Sequence, residues 1–235
     1  MYDSLFCRIY NEFGWNEYPR VFAEELVAWL DAGQIPVRTA LDLGCGTGVL
    51  CEALHAHGVE TLGIDLSADM IAIARERAPG LKYEVADMTA FRSPAPRDLV
   101  TCTGDALNHV TEAGDIRRVF ANVWASLNPG GLFVFDLLRA DEVPGESFEA
   151  PFGDGLTVRF AASRDQCGFT TLQIDGYRDG ERAFSETIRE KLYDAAEICG
   201  MLREAGFRVV QCSDHLLNDT RGTTWFVVAR KEAGP

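Results

Sequence analysis

The apolar residues of this 235-residue chain follow two different periods. Between residues 39 and 137, short apolar runs typical of strands are separated by segments whose apolar residues recur every three or four positions, as on one face of a helix. The helix predicted over 115–127 shows this period most clearly. The run 132–135 is apolar throughout, which is typical of a strand buried on both faces of a parallel sheet.

Strands and helices alternate through this region, and the fold class follows from that alternation. Strands are predicted at 40–43, 61–65, 83–85, 99–101 and 132–135. Ser67 is a suitable N-cap for the helix after the second strand, and the Asn-Pro-Gly-Gly sequence at 128–131 is expected to end the helix before the fifth. The pattern predicts an α/β protein with a doubly wound sheet.

After the fifth strand the helical period is replaced by alternation. Over 141–193 apolar and polar residues alternate in several runs, and Asp179-Gly180 is a turn signal between two of them. We predict a small antiparallel β cap inserted here. A helix with Asp194 as its N-cap and two closing strands at 207–212 and 224–229 follow the insertion.

The first 31 residues are predicted to form an N-terminal arm and a helix. Residues 1–20 are rich in aromatic side chains, whereas 21–31 have the apolar spacing of an amphipathic helix. A chain of this length normally forms one domain. We therefore expect a single domain over 1–235, with the arm and the inserted cap as additions to its main sheet.

Charge and composition narrow the range of partners. The chain has 22 Lys and Arg against 36 Asp and Glu, and its net charge of −14 opposes binding to nucleic acid and to anionic membranes. Its apolar runs are shorter than the ~20 residues of a transmembrane helix, and its N-terminus lacks the features of a signal peptide. A cytoplasmic location is therefore expected. The oligomeric state stays open.

The spacing of cysteine and histidine residues does not favour a metal site. The seven cysteines include no Cys-x-x-Cys pair, so free thiols are expected. His55 and His57 lie near Cys51, but residues two apart on a helix do not share a face. No bound metal is predicted.

A glycine-rich loop after the first strand is the most informative motif. The sequence at 41–48 reads Leu-Asp-Leu-Gly-Cys-Gly-Thr-Gly, so a strand leads into Gly44, Gly46 and Gly48 before a helix begins. Residues without a Cβ let the backbone turn tightly and approach a ligand. A dinucleotide-binding loop needs Gly or Ala where Val49 stands, and no Gly-Lys-Ser/Thr follows. A dehydrogenase and a phosphate-binding Walker loop are therefore disfavoured.

Acidic residues end the next two predicted strands. Asp65 ends the second strand, where a carboxylate can accept hydrogen bonds from both hydroxyls of a ribose. Asp87 ends the third strand, where it can accept a hydrogen bond from the exocyclic amine of adenine while Met88 lies against the ring. Ligands bind at the carboxyl ends of the strands in open α/β sheets. Together with the glycine loop, these residues predict a nucleoside site.

With these motifs the chain resembles the class I S-adenosylmethionine-dependent methyltransferases, and in particular a small-molecule branch that includes sugar N,N-dimethyltransferases. The resemblance rests on the glycine loop, Asp65, Ala-Asp-Met at 86–88 and Leu-Asn-Pro-Gly-Gly at 127–131, and it extends over essentially the whole chain. It implies a Rossmann-like seven-stranded sheet whose last strand is antiparallel. It also implies S-adenosylmethionine as the cofactor and a small molecule as the methyl acceptor.

The resemblance also implies site residues. The cofactor is expected to contact Gly44, Cys45, Gly46, Gly48, Asp65, Leu66, Asp87, Met88, Thr103 and Tyr18. His109, after the fourth strand, stands where the sugar enzymes have a histidine, and it is the candidate for accepting a proton from an amine. Tyr10 in the arm is the second catalytic candidate, although Asn11 replaces the Asp usual in that branch. Packing alone is an equal alternative for His109 and Tyr10.

Three accounts of function stay open at this point. The first is methyl transfer to an amine nitrogen, the second is transfer to a hydroxyl or carboxylate of a small molecule, and the third is cofactor binding without catalysis. Enzymes that methylate adenine or glutamine amides carry Asp/Asn-Pro-Pro-Tyr/Phe after the fourth strand, where this chain has Gly104-Asp105. A nucleic-acid substrate is therefore not expected.

Overall fold

The computed structural model describes residues 2–139, 147–214 and 224–232. Its helices are α1 Ser4–Ile9, α2 Glu17–Ala32, α3 Val49–Ala56, α4 Ala68–Arg77, α5 Ala113–Ser126 and α6 Ala195–Glu204. The first five strands are β1 Thr39–Leu43, β2 Glu60–Asp65, β3 Lys82–Val85, β4 Arg97–Cys102 and β5 Leu127–Leu138. The other strands are β6 Phe148–Pro151, β7 Leu156–Arg164, β8 Phe169–Arg178, β9 Glu181–Lys191, β10 Phe207–Ser213 and β11 Thr224–Lys231. Short 3₁₀ turns lie at Tyr10–Phe13 and Ala106–His109.

The main sheet has seven strands in the order β10-β11-β5-β4-β1-β2-β3. The pairs among β1 to β5 are parallel, and β11 is antiparallel to both β5 and β10. This confirms the predicted α/β sheet with an antiparallel last strand. The strand order reverses at β1, and in such sheets ligands bind at the carboxyl ends of the strands beside the reversal.

Strand β5 is buried on both faces, as its apolar run predicts. Phe133 and Phe135 belong to the apolar cluster under α5 and α6. Leu132 and Val134 belong to the cluster under α2 and α3 on the opposite face. The two layers of helices therefore meet the sheet through alternate residues of one strand.

The inserted strands β6 to β9 form a separate antiparallel sheet that packs against the N-terminal arm. The turn between β8 and β9 is Asp179-Gly180, with left-handed φ values of 53° and 81°, as the turn signal predicts. The arm and this sheet share one apolar cluster, made of Phe6, Ile9, Leu156, Val158, Phe160, Ile174, Phe184 and Ile188. The expected start of the insertion at residue 141 lies outside the described residues.

Two helix caps are confirmed, and the arm contains a helix that the sequence analysis did not predict. The Ser67 hydroxyl accepts the N–H of Met70, and Asp194 caps α6 through the N–H groups of Ala196 and Glu197. Asp3 caps α1 in the same way, which stabilises one and a half turns of helix within the aromatic arm.

Two predicted boundaries are wrong. Helix α2 begins at Glu17 rather than at residue 21, because Pro19 is compatible with the first turn of a helix even though this turn lacks apolar spacing. Strand β5 begins at Leu127, so the Asn-Pro-Gly-Gly sequence at 128–131 lies inside the strand. Gly130 there has a φ of 83°, and the pairing with β4 shifts register beside it.

No helix among the described residues combines the length and apolar character needed to cross a membrane. The inserted sheet and the arm are held together by the aromatic core that they share.

Gly176 on β8 offers a test of this shared core. A Cβ on Gly176 would overlap the ring of its cross-strand neighbour Phe184, which is buried against Phe6. Gly176→Ala is therefore expected to lower the free energy of unfolding by about 1–3 kcal/mol through overpacking. Thermal melting measures the loss. Gly153→Ala is the control, since a Cβ there meets nothing within 4 Å. Equal melting temperatures of the two variants would contradict the packing.

Candidate active site

The glycine loop between β1 and α3 adopts a left-handed backbone at three positions. Gly44, Gly46 and Gly48 have φ values of 67°, 53° and 83°, which residues with side chains rarely adopt. A Cβ on Gly44 would lie 2.7 Å from the Cβ of Ala106, and one on Gly48 would lie 2.5 Å from the Tyr83 hydroxyl. A Cβ on Gly46 would meet nothing within 4 Å. The loop is therefore packed at both ends and open at its centre.

Asp65 at the end of β2 is bound to this loop. One carboxylate oxygen accepts the N–H of Gly46 at 2.9 Å, and the other accepts the N–H of Ser67 at 2.8 Å. Burial raises the pKa of Asp65, and the N–H groups oppose that rise. Because each carboxylate oxygen can accept a second hydrogen bond, the group can also bind ligand hydroxyls. Leu66, the next residue, is 62% exposed and offers an apolar surface beside the carboxylate.

Met88 and Asp87 follow β3 on the same edge of the sheet. The Cε atom of Met88 is 3.4 Å from the position that a Cβ on Gly44 would take, so Met88 borders the glycine loop. Asp87 is exposed, and one of its oxygens accepts the N–H of Thr89 at 2.8 Å. The structure thus brings together Gly44, Gly46, Asp65 and Met88 from three strand ends.

The other predicted cofactor residues contact protein groups. Cys45 is buried with its thiol against that of Cys51. Thr103 is buried directly after β4. The Tyr18 hydroxyl donates a hydrogen bond to the carboxylate of Asp136. A role for these three residues toward a cofactor remains a prediction.

Asp136 shapes the turn after β4. This fully buried carboxylate on β5 accepts the N–H of Gly104 at 3.0 Å and that of Asp105 at 2.9 Å. Both residues are left-handed, with φ values of 68° and 55°, and for Asp105 this costs about 1 kcal/mol or more. Two successive N–H groups therefore converge on one carboxylate, and the chain continues into the 3₁₀ turn Ala106–His109.

Asn108 on this 3₁₀ turn connects the main sheet to the inserted sheet. Its fully buried side chain donates to the carbonyl of Lys191 at the end of β9 at 2.8 Å and accepts the N–H of Leu138 at 3.0 Å. Both amide atoms are thus hydrogen-bonded across a boundary between elements. The arrangement fixes His109, the next residue, beside β9.

His109, Asp105 and Glu190 meet above this turn. One polar side-chain atom from each lies within 4.8 Å of the other two, and Nε2 of His109 is 3.7 Å from Oε1 of Glu190. The Tyr2 hydroxyl lies 3.5 Å from the same nitrogen. Burial lowers the pKa of His109 and raises the pKa values of both carboxyls. The imidazole is therefore mostly neutral at pH 7 and able to accept a proton.

Tyr10 lies between this group and the glycine loop. Burial is the largest cause of its raised pKa, and the negative charges of Asp105, Asp65 and Glu190 raise it further. Its ring packs against Trp15 at a centroid distance of 5.1 Å. The predicted catalytic pair of Tyr10 and His109 thus shares one acidic environment.

The next residue, Asn11, contacts the glycine loop directly. Its side-chain oxygen accepts a hydrogen bond from the hydroxyl of Thr47 at 3.0 Å. The Cys7 thiol, on the same arm, lies 3.9 Å from the hydroxyl of Ser67. The arm therefore borders the glycine loop as well as the inserted sheet.

The sequence analysis did not assign Asp105, Glu190 or Tyr2 to the site. A signal for Glu190 does exist in the sequence, because β9 buries alternate residues and Glu186 and Glu190 share the inward face with Phe184. A charged residue on the strand face that otherwise carries apolar residues is unfavourable unless it has a function. Nothing comparable in the sequence distinguishes Tyr2.

Comparison with known proteins identifies the family. A model described as a methyltransferase domain matches residues 40–131. The dTDP-4-amino-2,3,4,6-tetradeoxy-D-glucose N,N-dimethyltransferase of Saccharopolyspora spinosa is 32% identical over 182 residues, which cover 73% of this chain and 72% of that protein. The chain belongs to the S-adenosylmethionine-dependent methyltransferases. The predicted enzyme class and cofactor of this methyltransferase are confirmed.

Two further proteins are similar to this methyltransferase. A ubiquinone biosynthesis O-methyltransferase of Burkholderia orbicola is 35% identical over 120 residues, which cover 48% of this chain and 50% of that protein. The match thus spans half the length of that relative. The crystal structure of an S-adenosylmethionine-dependent methyltransferase from Clostridium acetobutylicum aligns with a TM-score of 0.80 at 22% identity, covering 95% of this chain and 99% of the other. This last match shows a shared fold.

Replacement of Asp65 tests the cofactor side of the site. Asp65→Ala is expected to weaken S-adenosylmethionine binding by about 2–3 kcal/mol, because charged hydrogen bonds to the ligand and to the Gly46 amide are lost together. Titration calorimetry measures the affinity. Asp69→Ala is the control, since Asp69 is exposed four residues further along the chain. An unchanged affinity of Asp65→Ala would place the ribose elsewhere.

Proposed function

We propose that this methyltransferase transfers the methyl group to an amine nitrogen of a small molecule. The observation that carries the proposal is His109, a mostly neutral imidazole whose side chain is 34% exposed at the carboxyl edge of the sheet. An ammonium group must lose a proton before its nitrogen can attack, so an amine acceptor requires a base or a path to water. The Saccharopolyspora spinosa relative, named as an N,N-dimethyltransferase of an amino sugar, supports the same acceptor class.

In this proposal the open centre of the glycine loop receives the cofactor. Gly46 allows close approach of the backbone, Asp65 accepts hydrogen bonds from the ribose hydroxyls, and Leu66 and Met88 contact the adenine ring. Asp87, which is exposed, accepts a hydrogen bond from the exocyclic amine of adenine. Bound S-adenosylmethionine supplies an electrophilic methyl group and a neutral thioether leaving group.

The chain's own residues then move one proton and align the acceptor. Nε2 of His109 takes a proton from the acceptor nitrogen, whose lone pair forms the new N–C bond as the C–S bond breaks and leaves its electron pair on sulfur. The exposed part of the imidazole releases that proton to water. Tyr10 orients the acceptor, and alignment of the reactants supplies at most ~7–11 kcal/mol of the barrier reduction.

A matched pair of acceptors tests the proposed function. dTDP-4-amino-2,3,4,6-tetradeoxy-D-glucose, its 4-hydroxy counterpart, a catechol, a carboxylic acid and a panel of small primary amines are each incubated with the protein and S-adenosylmethionine. The expected result is S-adenosylhomocysteine release and one or two added methyl groups on an amine only, detected by mass spectrometry. Methylation of the hydroxy sugar, the catechol or the acid without any methylated amine would overturn the proposal in favour of O- or carboxyl-methylation. If none of the amines is methylated, that result also contradicts the proposal.

His109→Asn tests the proton acceptor with the amine so identified. Turnover is expected to fall by about 10²–10⁴, because the base is removed while the size of the side chain is retained. Since burial lowers the pKa of His109, the wild-type rate should decline as the pH falls below the usual pKa of histidine. The decline should be smaller in the variant, where only the neighbouring carboxyls such as Glu190 still titrate. Affinity for S-adenosylmethionine should not change. His57→Asn, on the exposed end of α3, is the control, and full turnover of His109→Asn would restrict His109 to packing.

A further inference from the structure

The buried carboxyl of Glu190 and the half-buried carboxyl of Asp105 lie side by side, and no Lys or Arg of the described residues neutralises them. Glu190 is 6% exposed on the inward face of β9, and Asp105 reaches it from the turn after β4, close enough for a hydrogen bond between the two. Within the described ranges no Lys or Arg forms an ion pair with either carboxyl, and the only basic contact is His109. A buried charge without a partner is strongly unfavourable, so a cationic ligand would stabilise this pair.

Tyr10 adds a hydroxyl to the same place. Its side chain is half-buried, so the hydroxyl is accessible to a ligand in the pocket. Because Asp105 and Glu190 both act electrostatically on Tyr10, the hydroxyl lies close to the pair.

We propose that Asp105 and Glu190 bind the cationic nitrogen of the methyl acceptor, with Tyr10 and His109 completing its surroundings, an inference that rests on the proposed function. Carboxyl oxygens, the phenol oxygen and the unprotonated imidazole nitrogen all accept hydrogen bonds, which matches the N–H donors of an ammonium group. Burial raises the pKa of both carboxyls, and a cationic nitrogen beside them would favour their ionised forms. A divalent metal ion is the competing occupant, and it would favour two ionised carboxylates.

Sinefungin tests this site without a known acceptor. It carries an amine where S-adenosylmethionine carries its methyl group, whereas S-adenosylhomocysteine has no group there. Titration calorimetry of the full chain with each compound should show that sinefungin binds about 10- to 100-fold more tightly, as expected for hydrogen bonds to charged groups. Glu190→Gln and Asp105→Asn should each reduce this preference at least fivefold and leave the affinity for S-adenosylhomocysteine unchanged.

The control variant is Glu186→Gln, which should keep the wild-type preference. Glu186 lies on the same inward face of β9, but it accepts the N–H of Asp3 in the arm instead of facing Asp105. Asp105→Asn is expected to fold normally, because Asn tolerates the left-handed backbone at this position. Circular dichroism and thermal melting verify folding of all three variants.

Several results would overturn the inference. One is equal affinity of the wild type for the two compounds, and another is a preference that survives in both Glu190→Gln and Asp105→Asn. Binding of Mg²⁺ or Zn²⁺ to the wild type, lost in Glu190→Gln, would instead identify a metal site. Methylation of hydroxyl acceptors alone, with the sinefungin preference retained, would contradict the proposed function and not the cation-binding pair.

Discussion

The hydrogen bonds accepted by the carboxylate of Asp136 are the interaction on which the proposed acceptor side of the site depends. It is fully buried on β5 and binds the N–H groups of Gly104 and Asp105, so the chain leaves β4 in a left-handed turn that no regular element would produce. That turn directs Asp105 toward the inserted sheet and starts the 3₁₀ turn that carries His109. Without a buried acceptor these two N–H groups would be unsatisfied, and the turn that carries both side chains would be destabilised.

The same arrangement shows where the protein retains unfavourable energy. Asp105 combines a left-handed backbone with a carboxyl whose pKa is raised by burial, and Glu190 adds a second carboxyl with a raised pKa. Strained residues and raised carboxyl pKa values together are characteristic of functional sites. Surrounding contacts offset this unfavourable free energy. One of them is made by Asn108, whose side chain is hydrogen-bonded to both sheets.

The grouping of the strand ends that we propose to bind the cofactor could be predicted from the sequence because it is built from local motifs. Gly46, Asp65 and Met88 each follow a strand within a few residues, and parallel strands bring their carboxyl ends to one edge. The acceptor side could not be predicted in this way. Tyr2 and Glu190 are separated by most of the chain, and their meeting depends on how the arm and the inserted sheet pack, which apolar periodicity does not specify.

The arm links the two sides of the site physically. Asn11 binds the glycine loop through Thr47, whereas Phe6 on α1 is buried in the core of the inserted sheet. Tyr10 lies between these two contacts. Its pKa is raised by burial and, in addition, by the negative charges of both Asp65 and Glu190. A shift of the arm would therefore change the surroundings of the glycine loop and of the proposed acceptor pocket together. Because methyl transfer requires both reactants to be aligned and water to be excluded, one segment that borders both sites meets both requirements with a single set of contacts.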